Sequence, residues 1–188
     1  MISIKTSCEI ELIRASCRLG AEAHRAVRDL IRPGVTTAEL DRLVETFLRG
    51  HGAEPAWKGY HGYPATICAS VNAQVVHGVP SSHPLRSGDI LGLDIGCRSQ
   101  GYYGDQGYTY PVGDVSAGTW RLMRVTLESL YRGIEQARPG ARLADVTGAV
   151  QDWVELHGYY VVRNFVGHGI GRKLHEDPQV PNYAPLEK

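Results

Sequence analysis

The sequence has no excess of positive or negative charge. Its 188 residues include 20 Lys and Arg and 20 Asp and Glu, so the formal net charge is zero. A basic balance is what attracts a chain to nucleic acid or to an anionic membrane surface, so we expect neither partner. The apolar runs are too short to span a bilayer, and no apolar stretch of the signal-peptide kind follows Lys5. We therefore expect a cytoplasmic protein.

Cysteine is also sparse, with four residues and no CxxC or other paired spacing. This spacing argues against a disulfide framework or a zinc knuckle and favours reduced thiols. Glycine, by contrast, is abundant. The 22 glycines cluster around histidines and aspartates instead of forming a linker.

Apolar spacing predicts helices, then strands, then helices again. A first helix carries residues 13–30 and ends at Pro33-Gly34, and a second begins at the capping box 36–39 and stops at Gly50. Strands and turns are predicted within 65–76 and 89–112. Further predictions are a helix capped by Ser116 or Thr119 and running to about Gln136, a helix over 143–154, a strand over 159–162 and a loop from Pro178 to Pro185.

The two helical regions repeat each other at an offset of 106 residues. Pro33-Gly34 falls on Pro139-Gly140, and His51-Gly52 falls on His157-Gly158, with the apolar stripe between them in register. Any two amphipathic helices after Pro-Gly would match in part, but the shared His-Gly stop favours an internal duplication. In that case the counterpart of Asp94 falls beyond Lys188, so we expect the second copy to be short and to leave an open sheet edge.

Two aspartates are the first candidates for chemistry. Asp94 closes the apolar strand 90–93, and Asp105 follows eleven residues later, with Gly96, Gly101 and Gly104 allowing a tight reversal. Antiparallel strands would bring both carboxylates to one point, where they repel unless a cation lies between them. The alternative is a pair of aspartates that cap turns, which is common near glycine.

Three histidines also lie in glycine-rich contexts. His168 is in Gly167-His168-Gly169-Ile170-Gly171, His175 follows it by seven residues, and His77 precedes Gly78. Flanking glycines let the backbone approach a ligand closely. A lone histidine near a strand end is more often structural, but three in such contexts favour a site. Hard oxygen ligands together with imidazole suit a divalent transition metal.

These motifs, in this order, resemble type I methionine aminopeptidases of the pita-bread metallopeptidase family M24. The resemblance covers nearly the whole chain. It rests on the Asp94/Asp105 pair, the glycine-flanked His168 and four runs: Tyr60-His61-Gly62-Tyr63-Pro64, Cys68-Ala69-Ser70-Val71-Asn72, His77-Gly78-Val79-Pro80 and His175-Glu176-Asp177-Pro178-Gln179-Val180.

The resemblance implies an α+β pita-bread fold with two pseudo-symmetric halves around two divalent metal ions, which could be Co²⁺, Mn²⁺, Fe²⁺ or Zn²⁺. Residues 1–188 would form one catalytic domain, with a first half over 1–113 and an incomplete second half over 114–188. The implied metal ligands are Asp94 (chelating), Asp105 (bridging) and His168 (terminal). The implied substrate contacts are His77 and His175, which would also act in catalysis, and a methionine pocket lined by Tyr60, Tyr63 and Cys68.

The implied reaction is removal of the N-terminal methionine from nascent polypeptides with a small second residue. The resemblance implies a monomer, leaves association with the ribosome open, and leaves open self-association through an incomplete sheet. The family completes its site with two glutamates, one in a Met-x-x-x-Ile-Glu-Pro strand, and no such segment is present here. We therefore expect the chain as given to bind metal weakly and to release methionine slowly, with Glu176, Asp177 and Glu187 as the first candidates for substitute carboxylates. The alternatives are a non-catalytic pita-bread binding protein, a gene fragment and a prolidase-like peptidase.

Overall fold

The computed structural model describes residues 1–184, so Glu187 and the end of the predicted loop at Pro185 lie outside the described residues. The chain divides into two compact units. The sheet unit comprises residues 3–115 and 170–175. The helix-pair unit comprises residues 1–2, 116–169 and 176–184. The predicted division into halves at 113 and 114 stays a prediction.

Two helices of the sheet unit begin with the same side-chain device. Helix α1 spans Ser7–Arg28 and α2 spans Thr37–Gly50, and each starts with a capping box. In the second, the Thr36 hydroxyl accepts from the Glu39 amide while the Glu39 carboxylate accepts from the Thr36 amide at 2.8 Å. These bonds satisfy amide donors that a helix start leaves unpaired. The capping box predicted at Thr36 is confirmed, whereas α1 ends earlier than predicted, with Asp29 as its C-cap.

A four-stranded antiparallel sheet is built around one central strand. Its strands are β1 (Glu54–Pro55), β2 (Ile67–Val71), β3 (Ile90–Ser99) and β4 (Tyr102–Pro111). β4 pairs with β3 along its whole length, while β2 and β1 pair with successive parts of β3. Alternate residues of β3, namely Leu91, Leu93 and Ile95, are at most 1% exposed and join the apolar faces of α1 and α2 in one core. Side chains alternate along a strand, so Asp94 points to the opposite face.

The predicted strand, turn and strand over 89–112 are confirmed, but the roles of the glycines differ. Gln100 and Gly101 form the two-residue turn with φ of 50° and 83°, the geometry that the twist of a hairpin favours. Gly96 and Gly104 lie inside the strands instead. A Cβ at Gly104 would come within 2.5 Å of the Ser16 carbonyl carbon, so this glycine lets α1 pack directly on β4. Asp94 does not close its strand as predicted, because the pairing with β4 carries β3 on to Ser99.

The helix-pair unit contains α3 (Ala117–Gln136) and α4 (Leu143–Leu156). Ser116, not Thr119, caps α3, with its hydroxyl accepting from the Thr119 amide at 3.1 Å. Two short antiparallel strands follow, β5 (Gly167–Gly169) and β6 (Glu176–Val180).

Two secondary-structure predictions near the C-terminal end were wrong. Residues 159–162 form no strand, and Tyr160 is 88% exposed. The start of the predicted loop at Pro178 belongs to β6, because pairing with β5 outweighs the weak local signal. The strand and turns predicted over 65–76 are confirmed, with Ile67–Val71 as the strand.

The sequence repeat has a structural counterpart in α2 and α4. Both helices have 14 residues, and both their first and their last positions differ by 106. His51 and His157 end them alike, with each Nδ1 lying 2.8 Å from a carbonyl oxygen four residues back. Each imidazole also packs on the aromatic ring of that residue, at centroid distances of 4.2 and 4.4 Å. No helix within residues 1–184 has the length and apolar character needed to cross a membrane.

Candidate active site

The hairpin β3–β4 places Asp94 and Asp105 on one face of the sheet. Asp94 lies opposite Gly107, and Asp105 lies opposite Gly96, so the aspartates are diagonal neighbours on adjacent strands. Diagonal positions of this kind share a face and lie within side-chain reach. Asp105 lies close enough for its negative charge to act on Asp94. Both aspartates lie within strands and on the same face of the sheet, as the predicted meeting of the two carboxylates requires, and their sharing of one cation stays a prediction.

The electrostatics of this pair are unfavourable without a counter-charge. Burial, followed by the negative charge of Asp105, raises the pKa of Asp94 to about 8. Asp94 Oδ1 is enclosed and has no hydrogen-bond partner among the described residues. An enclosed carboxylate oxygen beside a second carboxylate is a donor set that suits a divalent cation.

An aromatic and sulfur-containing cluster adjoins the aspartates. Cys68 lies opposite Asp94 on β2, so its side chain shares their face. Its neighbours in the cluster are Ala56, Trp57, Leu174, Tyr60, Tyr63 and Tyr103. The structure therefore brings together the three predicted pocket residues, although their contact with a substrate stays a prediction.

Hydrogen bonds and burial define the character of this cluster. The Tyr63 hydroxyl lies 3.0 Å from the Ile67 carbonyl oxygen and 2.9 Å from that of Gly78, which holds the ring against β2. Burial raises the pKa of Cys68 to about 11 and also raises the pKa of Tyr63. The Cys68 thiol is therefore neutral near pH 7, which does not suit a nucleophile or a thiolate ligand.

Trp57 is a residue of the cluster that the sequence reasoning missed. Its side chain is 6% exposed and its Nε1 has no hydrogen-bond partner among the described residues. The indole lies over Gly96, where an added Cβ would come within 3.2 Å of Nε1 and 2.9 Å of Ala56 Cβ. Gly96 therefore leaves room for the indole on the face that carries the aspartates. The available signal was a tryptophan just before the Tyr60 run in a sequence with only three tryptophans.

His175 belongs to the sheet unit through the short segment 170–175. The Tyr103 amide donates to the Gly171 carbonyl at 2.8 Å, Arg172 Nε lies 3.5 Å from Glu9, and Leu174 is buried in the cluster. The His175 ring packs on Tyr60 at a centroid distance of 5.3 Å, and its Nδ1 lies 2.8 Å from the Tyr60 hydroxyl. Two predicted substrate residues are thus in direct contact.

His77 lies on the loop that returns beside β2. It is exposed and has a φ of 58°, a left-handed conformation that is uncommon for a residue with a side chain. The next residue, Gly78, accepts a hydrogen bond from the Ala69 amide at 2.7 Å and packs so closely on β2 that a Cβ would meet the Ala69 oxygen at 2.3 Å. The fold therefore fixes the backbone at this histidine, while its substrate role stays a prediction.

His168 lies in β5 of the helix-pair unit. Its Nδ1 is 3.0 Å from the Gly169 carbonyl oxygen. A carbonyl only accepts, so Nδ1 of the neutral ring carries the proton and the lone pair is on Nε2, while the metal-ligand role of His168 stays a prediction. Gly169 is required here, since a Cβ would lie 2.7 Å from the Asp177 oxygen. Within either unit, no three described His, Cys, Asp or Glu side chains form a group able to hold a metal ion.

Comparison with known proteins shows the family to which the chain belongs. A family model described as metallopeptidase family M24 matches residues 11–188. The chain belongs to this family. It is 46% identical over 188 residues to methionine aminopeptidase 1 of Bacillus subtilis (strain 168). The matched region covers 100% of this chain and 76% of that protein. It is 47% identical over 185 residues to the methionine aminopeptidase of Clostridium acetobutylicum, with coverage of 98% and 74%.

Solved structures of family members share the fold. The crystal structure of methionine aminopeptidase from Rickettsia prowazekii superposes with a TM-score of 0.97 at 41% identity, covering 100% of this chain and 76% of that chain. Prolidase from Pyrococcus furiosus superposes with a TM-score of 0.85 at 27% identity, covering 97% and 53%. The predicted α+β pita-bread fold is confirmed. The M24 chain is thus a member of a hydrolase family that uses divalent metal ions, and its nearest similarity among these relatives is to methionine aminopeptidases rather than to prolidase.

Proposed function

We propose that this M24 chain removes the N-terminal methionine of polypeptides by hydrolysing the first peptide bond with the help of two divalent metal ions. The observation that carries the proposal is the half-buried pair Asp94 and Asp105. The pair has a fully enclosed oxygen without a hydrogen-bond partner among residues 1–184, and the pKa of Asp94 is raised to about 8. Both features are relieved by bound cations.

Three residues are assigned to the metal ions. Asp94 and Asp105 would provide carboxylate oxygens from one hairpin, and His168 would provide Nε2, since its Nδ1 lies against the Gly169 carbonyl. The chemistry supplied by divalent ions at such a site would be activation of water near neutral pH and polarisation of the peptide carbonyl. The carboxylate and imidazole ligands suit Mn²⁺, Fe²⁺, Co²⁺ or Zn²⁺.

The cluster around Cys68 forms the proposed methionine pocket. A thioether packs favourably against aromatic ring edges, and Trp57, Tyr60 and Tyr63 provide such edges around a neutral thiol. His77 and His175 are proposed to donate hydrogen bonds to the substrate amide and to the oxygen that becomes negative during hydrolysis. We further propose that the substrates are nascent chains with a small second residue, met in the cytoplasm by a monomer, and that any association with the ribosome serves this encounter.

The test combines activity with metal binding. Purified chain is incubated with Met-Ala-Ser and Mn²⁺ or Co²⁺, and free methionine is measured beside Asp94→Asn and the exposed control Asp114→Asn. We expect metal-dependent release that Asp114→Asn retains and Asp94→Asn loses by at least about 100-fold. Titration with Co²⁺, followed by its visible absorption, reports binding independently of turnover.

The outcomes separate the competing functions. Cleavage of Xaa-Pro dipeptides in preference to Met-Ala-Ser would favour a prolidase-like activity. If the unmodified chain binds Co²⁺, Asp94→Asn abolishes that binding, and no peptide releases methionine, the proposed metal site would stand and the proposed peptidase activity would be refuted. Methionine release that is indifferent to metal and to Asp94 would refute the whole proposal.

A further inference from the structure

The turn that carries Tyr60 is unusually well fixed. Gly59, His61 and Gly62 have φ of 88°, 46° and 81°, so three of four consecutive residues are in the left-handed region. The Tyr60 amide donates to the Trp57 carbonyl at 2.9 Å, and the Gly59 amide donates to the Tyr63 carbonyl at 2.8 Å. A backbone held in uncommon conformations by hydrogen bonds indicates that the position of the side chain matters.

Aromatic contacts hold the Tyr60 ring on both sides. The imidazole of His61 meets it edge-on at a centroid distance of 4.4 Å, and the indole of Trp57 meets it edge-on at 6.5 Å. His175 stacks on the ring at 5.3 Å and 30°. The hydroxyl is thereby placed 2.8 Å from His175 Nδ1, across 115 residues of sequence.

We infer that Tyr60 is a positioning residue that holds His175 in the tautomer with the proton on Nε2. The inference rests on the proposed function for the meaning of that proton. A neutral imidazole nitrogen is a stronger acceptor than a phenol oxygen, and a phenol hydroxyl is a good donor. The bond therefore runs from the Tyr60 hydroxyl to Nδ1, which leaves Nε2–H as a donor.

The tautomer decides what His175 can do. With the proton on Nε2, the neutral ring can donate a hydrogen bond to a substrate carbonyl oxygen without first gaining a proton. The opposite tautomer would present a lone pair there and repel the negative charge that develops on that oxygen. Tyr60 thus has a second role besides the proposed pocket wall, and this role depends on its hydroxyl alone.

Tyr60→Phe isolates the hydroxyl because it keeps the ring and its packing. The matched control is Tyr103→Phe, which removes a hydroxyl from another tyrosine of the same cluster. Tyr103 contacts the 170–175 segment through its backbone amide, which the replacement keeps. Proton–nitrogen correlation spectra of ¹⁵N-histidine-labelled chain report the tautomer of each imidazole. His175→Asn assigns the relevant signals.

We expect the His175 signals of the unmodified chain and of Tyr103→Phe to show the proton on Nε2. In Tyr60→Phe they should shift toward a mixture of both tautomers. A His175 that carries its proton on Nδ1 in the unmodified chain, or an unchanged pattern in Tyr60→Phe, would overturn the inference. This readout requires no turnover, so it stands apart from the proposed function.

Kinetics give the second arm. Tyr60→Phe should lower kcat for Met-Ala-Ser by about 10- to 100-fold, the usual cost of losing a group that orients a functional histidine, with KM within a few-fold. In the His175→Asn background it should have no further effect, because a residue that acts through another is silent when the other is gone. Equal losses in both backgrounds would contradict the positioning role. Absence of turnover in the unmodified chain would count against the proposed function, while the tautomer result would keep its own meaning.

Discussion

The replacement Asp94→Asn should stabilise the metal-free protein while abolishing metal binding. Burial and the neighbouring Asp105 raise the pKa of Asp94 from 3.8 to about 8. The folded chain therefore keeps a proton at neutral pH that the unfolded chain has released. A raised pKa of this kind contributes stability that is fully present below the unfolded value and is lost as the pH rises toward 8.

The magnitude follows from the pH interval. The unfolding free energy falls by about 1.4 kcal/mol for each pH unit over which only the folded state holds the proton. The interval from the unfolded pKa of 3.8 to pH 7 is roughly three units, so the total loss is on the order of 4 kcal/mol. Asparagine is neutral throughout and avoids this cost. The difference in unfolding free energy between Asp94→Asn and the unmodified chain should therefore grow from near zero at pH 4 to a few kcal/mol at pH 7.

Urea denaturation with EDTA from pH 4 to 8 measures this difference, and Asp114→Asn serves as the exposed control. Using the difference between two variants cancels other titrating groups that they share. Addition of Mn²⁺ at about 100 times its Kd should then stabilise the unmodified chain by about 2.7 kcal/mol and leave Asp94→Asn unchanged. A difference that stays flat with pH, or a mutant that is less stable at pH 7, would refute the reasoning.

Three other changes test the surroundings of the site. Gly104→Ala should destabilise the chain by about 1–3 kcal/mol in urea denaturation, because its Cβ would meet Ser16 backbone atoms at 2.5 Å; an unchanged midpoint would contradict the close packing. Burial lowers the pKa of His24, so its contribution to the unfolding free energy is present above pH 6.5 and is lost as the pH falls below that value. In the Asp94→Asn background, His24→Asn should therefore flatten the pH dependence of the unfolding free energy. A pH dependence that persists in the double variant would exclude His24 as its source. Thr36→Ala should cost about 1 kcal/mol through loss of the capping box, which a thermal melt would detect and Thr36→Ser should restore.

Local patterns predicted most of the secondary structure. The capping box at Thr36 and the Ser116 cap mark helix starts because short polar side chains satisfy free amides there. The 106-residue offset also anticipated that α2 and α4 have matching ends. The errors occur where pairing with a distant strand decides the outcome. The sequence around Pro178 is typical of a loop, but the residue lies in β6 because β5 provides a partner strand. Residues 159–162 are typical of a strand, but they form no strand pairing with any other described residues.

The site was predictable to the extent that its residues are close in sequence. Asp94 and Asp105 face each other through one hairpin, and the glycines around them indicated the turn. The bond between Tyr60 and His175 was not predictable, because it spans 115 residues and depends on how the 170–175 segment returns to the sheet unit. Trp57 was missed for a similar reason, since only the packing over Gly96 distinguishes it from an ordinary core residue.

The difference in sequence separation also determines how the site comes apart. Closing a loop costs free energy that grows with the logarithm of its length, so the Tyr60–His175 contact is about 2 kcal/mol more expensive to form than the eleven-residue aspartate pair. Local opening should therefore release the 170–175 segment, and His175 with it, before the hairpin separates. In hydrogen exchange, the Tyr103 amide, which donates to Gly171, should then exchange faster than the amides paired within β3 and β4. The carboxylates would persist as an assembled pair in a state that has already lost its histidine.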